Sequence, residues 1–307
     1  MSKYLDSSIL AKIRPIISVC LLFLWLFTTK VYSKLKDTDI KNIHDTLLIS
    51  KHLGRKITID FILPPNYEKH PDRAYPVLFM NDGQDVERLQ MQAVLRQLYQ
   101  QNHIRHFILV AVHCGDRMQE YGTASQLDYK QRGSKATAYT QFVLEELMPY
   151  VQTKYRVLSG PKHNFWCGFS LGALSAFDMV WHHAAVFGKV GAFSGSFWWR
   201  QKAYDQQYKD ERDRIAHRLV RESNQFASSN SPQFWFQTGT DDEKDDRNQN
   251  GIIDSIEDTL DLIAELEKKG YRWGHDIKYV EVKNGHHNPD TWAKIMPDFL
   301  TWAFGNE

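Results

Sequence analysis

Gly168-Phe169-Ser170-Leu171-Gly172 spells G-x-S-x-G between an apolar run, Phe165-Trp166-Cys167, and a segment of helical pattern, Leu171 to Trp181. The placement says more than the string. A strand that turns sharply into a helix presents its serine on a strained corner and leaves no room for side chains on either side. A serine hydroxyl is a weak nucleophile at its own pKa and needs a base, which in turn needs an orienting acid. In this arrangement the chain order is serine, acid, histidine. After the run Phe234–Gln237 comes Thr238-Gly239-Thr240-Asp241-Asp242-Glu243, and after Ile277–Val282 comes Lys283-Asn284-Gly285-His286-His287. Both stretches lie just past the carboxyl end of an expected strand, where open parallel sheets gather their active-site residues. We therefore read Ser170 as nucleophile and Asp242 as orienting acid, with Asp241 and Glu243 as alternatives. His286 is read as the base, with His287 in reserve. A tetrahedral oxyanion needs N–H donors. The amide of Leu171 at a helix start supplies one, and the amide of Gln84, in Met80-Asn81-Asp82-Gly83-Gln84-Asp85, supplies the second.

A second pattern asks for different chemistry. Asp246-Arg247-Asn248-Gln249-Asn250-Gly251-Ile252-Ile253-Asp254-Ser255-Ile256-Glu257 fits D-x-[DN]-x-[DN]-G-x₅-E at every constrained position. Asp246, Asn248, Asn250, the Ile252 carbonyl, Asp254 and a bidentate Glu257 would surround a hard cation, with Gly251 making the turn. The expectation is a structural Ca²⁺ that stiffens the segment carrying Asp242; an Asx-rich turn capping the next helix is the alternative. No cofactor is expected for catalysis. Phe197, Trp198 and Trp199 follow the sixth strand and are candidates for the wall of an acyl or aryl pocket, or for core packing. Arg117 and Arg132 lie in a polar stretch on the same edge and are candidates for an anionic substrate group, or for ordinary ion pairs.

These residues need a sheet to hold them. Apolar runs at His44–Ser50 and Lys56–Leu63 predict an opening hairpin, closed by Pro64-Pro65. From Pro76 the pattern alternates strand and helix: strands Val77–Met80, Phe107–His113, Asn164–Gly168, Val190–Phe193, Phe234–Gln237 and Ile277–Val282, with helices over 85–101, 136–155, 171–181, 255–268 and 289–303. Strands separated by helices of this length predict an α/β fold with a mostly parallel sheet covered on both faces. The 307 residues suffice for one catalytic-size domain. Lys+Arg 38 against Asp+Glu 37 leaves no polybasic field, which argues against nucleic acid as a partner.

Residues 1–33 differ from the rest. Lys3, Lys12 and Arg14 precede an apolar run from Ile16 to Phe27, and small or polar residues follow to Ser33. This predicts an export signal cleaved after Ser33, with residues 34–307 as the catalytic domain in the periplasm or outside the cell. An uncleaved anchor is the alternative, and membrane association is expected only in that case. Cys114 and Cys167 follow apolar runs and read as inert core thiols.

The stretches Tyr75–Gln84, Gly168–Leu174, Ser194–Trp199, Gly239–Asp242 and Gly285-His286 together resemble the esterase family of alpha/beta hydrolases, which includes enterochelin-esterase-like siderophore hydrolases, feruloyl and acetyl xylan esterases, S-formylglutathione hydrolase and mycolyltransferases. The resemblance spans nearly all of residues 44–304. It implies an alpha/beta-hydrolase fold and a carboxylic ester hydrolase acting on a small-molecule or glycan-linked ester. The family's G-T-x-D puts the acid on Asp242, and its G-H puts the base on His286. Asn81-Asp82-Gly83 stands where the xylan-type members often carry His-Gly, which tilts the expectation toward the siderophore-esterase branch. An acyltransferase with the same triad, or a catalytically silent calcium-stabilised binding protein, are the competing readings.

Overall fold

A computed structural model of the chain describes residues 39–205 and 207–306. The expected export segment, 1–33, lies outside the described residues. Eight strands form one sheet in the order β1-β2-β4-β3-β5-β6-β7-β8. They are β1 (Lys41–Ser50), β2 (Arg55–Leu63), β3 (Val77–Asn81), β4 (Ile108–Val112), β5 (Asn164–Phe169), β6 (Lys189–Phe193), β7 (Gln233–Asp241) and β8 (Ile277–His286). β1 pairs antiparallel with β2, and β2 antiparallel with β4; every later pairing is parallel. The fold is an alpha/beta hydrolase fold. β3, β4 and β5 are buried at every position, as their unbroken apolar runs require of strands covered on both faces.

Two apolar layers flank the sheet. One packs Leu171–His182, the helical run 136–154 and Asp254–Lys268 against Phe79, Trp166 and Phe234. The other packs Met91–Gln100 and Pro289–Phe304 against Met80, Phe165 and Trp235. Among the described residues no helix is long and apolar enough to cross a membrane.

The helix expected over 85–101 is shorter. Gln90 takes a left-handed φ of 51° and the α-helix starts only at Met91; residues 83–85 form a tight 3₁₀ turn instead. Strands β7 and β8 run further than their apolar cores suggested. Their ladder passes Gly239↔Val282, breaks register, and ends at Asp241↔His286. The close approach there requires Gly239, since a Cβ on it would sit 2.3 Å from the Gly285 carbonyl oxygen. Asp242 and His287 are thereby the first residues beyond two adjacent strand ends.

Candidate active site

Strand order reverses between β3 and β5, so the chain leaves the carboxyl ends of these neighbours in opposite directions. Open α/β sheets bind ligands at such a reversal. Expected groups sit at the ends of both strands. On the β5 side, Ser170 sits at φ 55°, ψ −121°, a strained conformation for a residue with a side chain, between β5 and the helix Leu171–His182. A Cβ on Gly168 would meet the Gly172 carbonyl oxygen at 2.2 Å, and one on Gly172 would meet Asp82 Oδ2 at 2.6 Å. The two glycines are therefore steric requirements of the elbow. Ser170 Oγ lies 3.4 Å from Ser196 Oγ. The Leu171 N–H opens the helix, where the first amides lack intrahelical acceptors.

On the β3 side, the loop carrying Gln84 is bolted in place. Asp82 is buried at a left-handed φ of 59°. Arg117 reaches it with two parallel bonds, Nε to Oδ1 at 2.9 Å and Nη2 to Oδ2 at 3.0 Å, and Nη2 also donates to the Phe169 carbonyl at 2.8 Å. One guanidinium thus ties the Gln84 loop to the residue before Ser170. Tyr121 Oη accepts the Asp82 N–H at 3.0 Å. Asn81 Nδ2 donates to the Gly172 carbonyl at 2.7 Å, while Tyr139 Oη donates to Asn81 Oδ1 at 2.7 Å. The expectation that Arg117 faces substrate gives way to this clamp, because two of its nitrogens are already committed.

Of the three acids, Asp242 turns inward. Its Oδ2 accepts the Gly239 N–H at 2.9 Å, and its Oδ1 is buried with no hydrogen-bond partner among the described residues. Burial raises its pKa, and the Gly239 amide, the Ser194 hydroxyl, His287 and His286 pull it back. Glu243 faces Asp254, Asp245 and Asp258 instead; burial and these like charges raise it to about 7. Asp241 is exposed, and its carbonyl meets His286 Nδ1 at 3.3 Å.

Both histidines are exposed, and they differ in what their rings touch. His286, the expected base, is an exposed residue whose ring turns to that carbonyl. His287 packs edge-on against Trp292, ring centroids 5.5 Å apart. Its surroundings depress its pKa through desolvation, Asp242 opposes this, and Arg117 adds to it. His286 is the last ladder residue, and His287 is the first residue of the turn that follows. That turn is fixed by the His286 N–H donating to Thr291 Oγ1 at 2.9 Å and by Asn288 Oδ1 accepting the Thr291 N–H at 3.0 Å.

Sequence reading passed over Trp292 and Ser194. Trp292 Nε1 donates to Ser194 Oγ at 2.9 Å, and its ring stacks on Phe169 at 5.0 Å. One side chain therefore touches His287, Ser194 and the end of the strand that leads into Ser170. The only signal was a tryptophan one turn after the histidines, which apolar periodicity assigns to the core. Trp199 is 0% exposed. Gly122 and Gly133 lie against its ring, so it carries the wall from beneath and cannot contact a ligand. Trp198 is half-buried with Arg132 over its ring at 5.1 Å. Cys167 is buried and Cys114 half-buried; both are free. Cys114 packs against the core from its rim, and its Sγ accepts from Gln84 Nε2 at 3.3 Å.

In the expected calcium loop, Gly251 takes φ 89° and its N–H donates to Asp246 Oδ2 at 2.8 Å. Asn248 Nδ2 donates to both oxygens of Glu257 at 2.8 Å, and Asn250 Nδ2 to one of them at 2.6 Å. Four of the expected ligands thus converge. Asp254 faces away from that centre, accepting the Arg247 N–H at 2.9 Å and pairing with its guanidinium at 3.2 Å. Ile252 is exposed.

Residues 50–303 match the family described as "Putative esterase". An uncharacterized protein, YbbA, of Bacillus subtilis (strain 168) is 24% identical over 159 residues, half of this chain and 63% of its own length. The chain spans less than two thirds of the curated relatives it matches. Among solved structures, a ferulic acid esterase superposes with a TM-score of 0.64 at 18% identity, covering 87% of this chain and 98% of that one. The enterobactin esterase FES from Shigella flexneri, solved in the presence of enterobactin, superposes with a TM-score of 0.66 at 17% identity, covering 86% and 58%. With the family pattern matched from the end of the first strand to the last helix, the chain belongs to this esterase family.

Proposed function

We propose that the protein is an exported serine carboxylic ester hydrolase. Ser170 attacks the ester carbonyl, His287 takes its proton and returns it to the leaving alcohol, and Asp242 orients the imidazolium. The amides of Leu171 and Gln84 hold the tetrahedral oxyanion, and water resolves the acyl-enzyme. What supports this reading is the strained Ser170 at the corner after β5, with Asp242 and His287 electrostatically tied just past the carboxyl ends of β7 and β8 on the same edge of the sheet. Assigning the base to His287 instead of His286 rests on its electrostatic tie to Asp242 and its packing on Trp292.

For substrate, we propose a small ester with an aromatic or sugar-linked acyl group. The Trp198 face under Arg132 offers a ring surface, and the structural relatives described as acting on ferulic acid esters and enterobactin support that class. We further propose that the 246–257 loop takes a structural Ca²⁺. Its oxygen donors suit a hard cation, and rotating the Asn248 and Asn250 amides would exchange the N–H groups now on Glu257 for carbonyl oxygens.

The test is intact-mass analysis after a fluorophosphonate probe. One adduct on Ser170, lost in Ser170→Ala and His287→Ala and retained in His286→Ala, is the expected result. Loss in His286→Ala with retention in His287→Ala overturns the assignment of the base, and a folded protein that takes no adduct overturns the hydrolase reading.

A further inference from the structure

A cleft among the described residues lies far from the serine. It opens across the amino ends of β5, β6 and β7, the opposite edge of the sheet, with a volume of about 670 Å³. Pro161, Gly188 and Ala227 supply apolar surface over the buried Phe165, and Lys162, Lys189 and Arg105 bring positive charge. The carboxylate in its lining, Asp276, is already held by His275 and Arg272.

We propose that this cleft is a binding site for a small organic carboxylate with an apolar body, separate from the candidate active site. Lys189 is the anchor. Its Nζ donates to the Trp302 and Ala303 carbonyls, each at 3.2 Å, and lies 5.3 Å from the centre of the Phe165 ring. An ammonium has three N–H donors, so one remains for a ligand. Among the described residues neither Lys189 nor Lys162 pairs with a carboxylate.

The loop beside it selects against phosphate. A phosphate site is usually built from free backbone amides. Here the Ser228 N–H donates to Ser231 Oγ, the Asn230 N–H to Ser228 Oγ and the Ser231 N–H to the Ser228 carbonyl, so the nest is spent internally. One free ammonium N–H beside an aromatic ring suits a single negative charge on an apolar body. Burial, and then the charge of Arg105, bring the Lys189 pKa down to about 8. A bound carboxylate favours the charged amine, so binding takes up a proton and weakens as pH rises above that value.

Benzoate is the probe, titrated calorimetrically into the full chain whose Ser170 has first been capped by a phosphonate; a chain that resists capping is titrated as it is. This arrangement separates failure of the site from failure of the hydrolase reading. Saturable binding at pH 7 is expected, with affinity falling about tenfold for one pKa unit of linkage by pH 9.5. Lys189→Met should abolish it. Lys162→Ala, at an exposed position with no packing role, should weaken it several-fold even if Lys189→Met does not fold. Absence of saturable binding overturns the proposal, as does binding indifferent to both substitutions. Inorganic phosphate binding where benzoate does not overturns the ligand class.

Discussion

Replacing Trp292 by phenylalanine isolates what the indole does beyond filling space. The phenyl ring keeps most of the stack on Phe169 and the edge contact with His287. What disappears is the Nε1–H bond to Ser194 Oγ at 2.9 Å, in a buried setting. A buried acceptor left without its donor costs about 1–3 kcal/mol, and the smaller ring adds roughly 1 kcal/mol of lost packing. A domain of this size should lose about 2–4 °C of Tm per kcal/mol. The distinguishing effect is catalytic. The Ser194 hydroxyl stabilises the charged form of Asp242. Freed from Trp292 it rotates away, the Asp242 carboxyl titrates higher, and a protonated Asp242 no longer orients His287. We expect kcat to fall about tenfold, the worth of roughly 1.4 kcal/mol, with KM little changed and the acidic limb of the pH–rate profile moved to higher pH. The assay is kcat, KM and a pH profile on an aryl ester beside a thermal melt. A lowered Tm with an unchanged pH profile and kcat would refute the argument and reduce Trp292 to packing.

Other outcomes follow from the same geometry. The His287 pKa lies below its usual value, so the neutral base should persist under mild acid and activity should fade only below about pH 6.5. The same depression lets the unfolded chain bind more protons between the folded and unfolded values, so stability should rise with pH through that window; a pH melt showing the opposite slope there would contradict the assignment. Arg117→Gln should move the acidic limb upward by removing a repelling charge, while leaving Asp82 buried and unpaired at a cost of about 3–5 kcal/mol. Gly168→Ala, with its Cβ 2.2 Å from the Gly172 oxygen, should yield insoluble or inactive protein, and a fully active variant would disprove the steric account. Calcium at ten times its dissociation constant should stabilise by about 1.4 kcal/mol. Equal melting temperatures in excess chelator and in millimolar calcium, or an unaltered shift in Glu257→Gln, would remove the calcium proposal.

The sequence by itself determined the alternation of strands and helices, and hence the fold class, because apolar runs of strand length between amphipathic stretches have one stable layered arrangement. It also determined the serine elbow: Gly168 is a local steric requirement, while Gly172 makes room for Asp82 from the β3 loop. What only the tertiary structure decided are choices between neighbours. Asp241, Asp242 and Glu243 have similar chemistry, and one residue of register sends a side chain to the other face. The break in the β7–β8 ladder after Gly239 turns Asp242 inward and leaves Asp241 outside. Past the same strand end, His286 turns to the Asp241 carbonyl while His287 lies against Trp292 and in the field of Asp242. Arg117 is 35 residues from Asp82 and 52 from Phe169 along the chain, and Trp292 is 98 from Ser194. Contacts at such separations carry no local pattern; they exist because the sheet brings the ends of β3, β5, β6 and β8 to one edge.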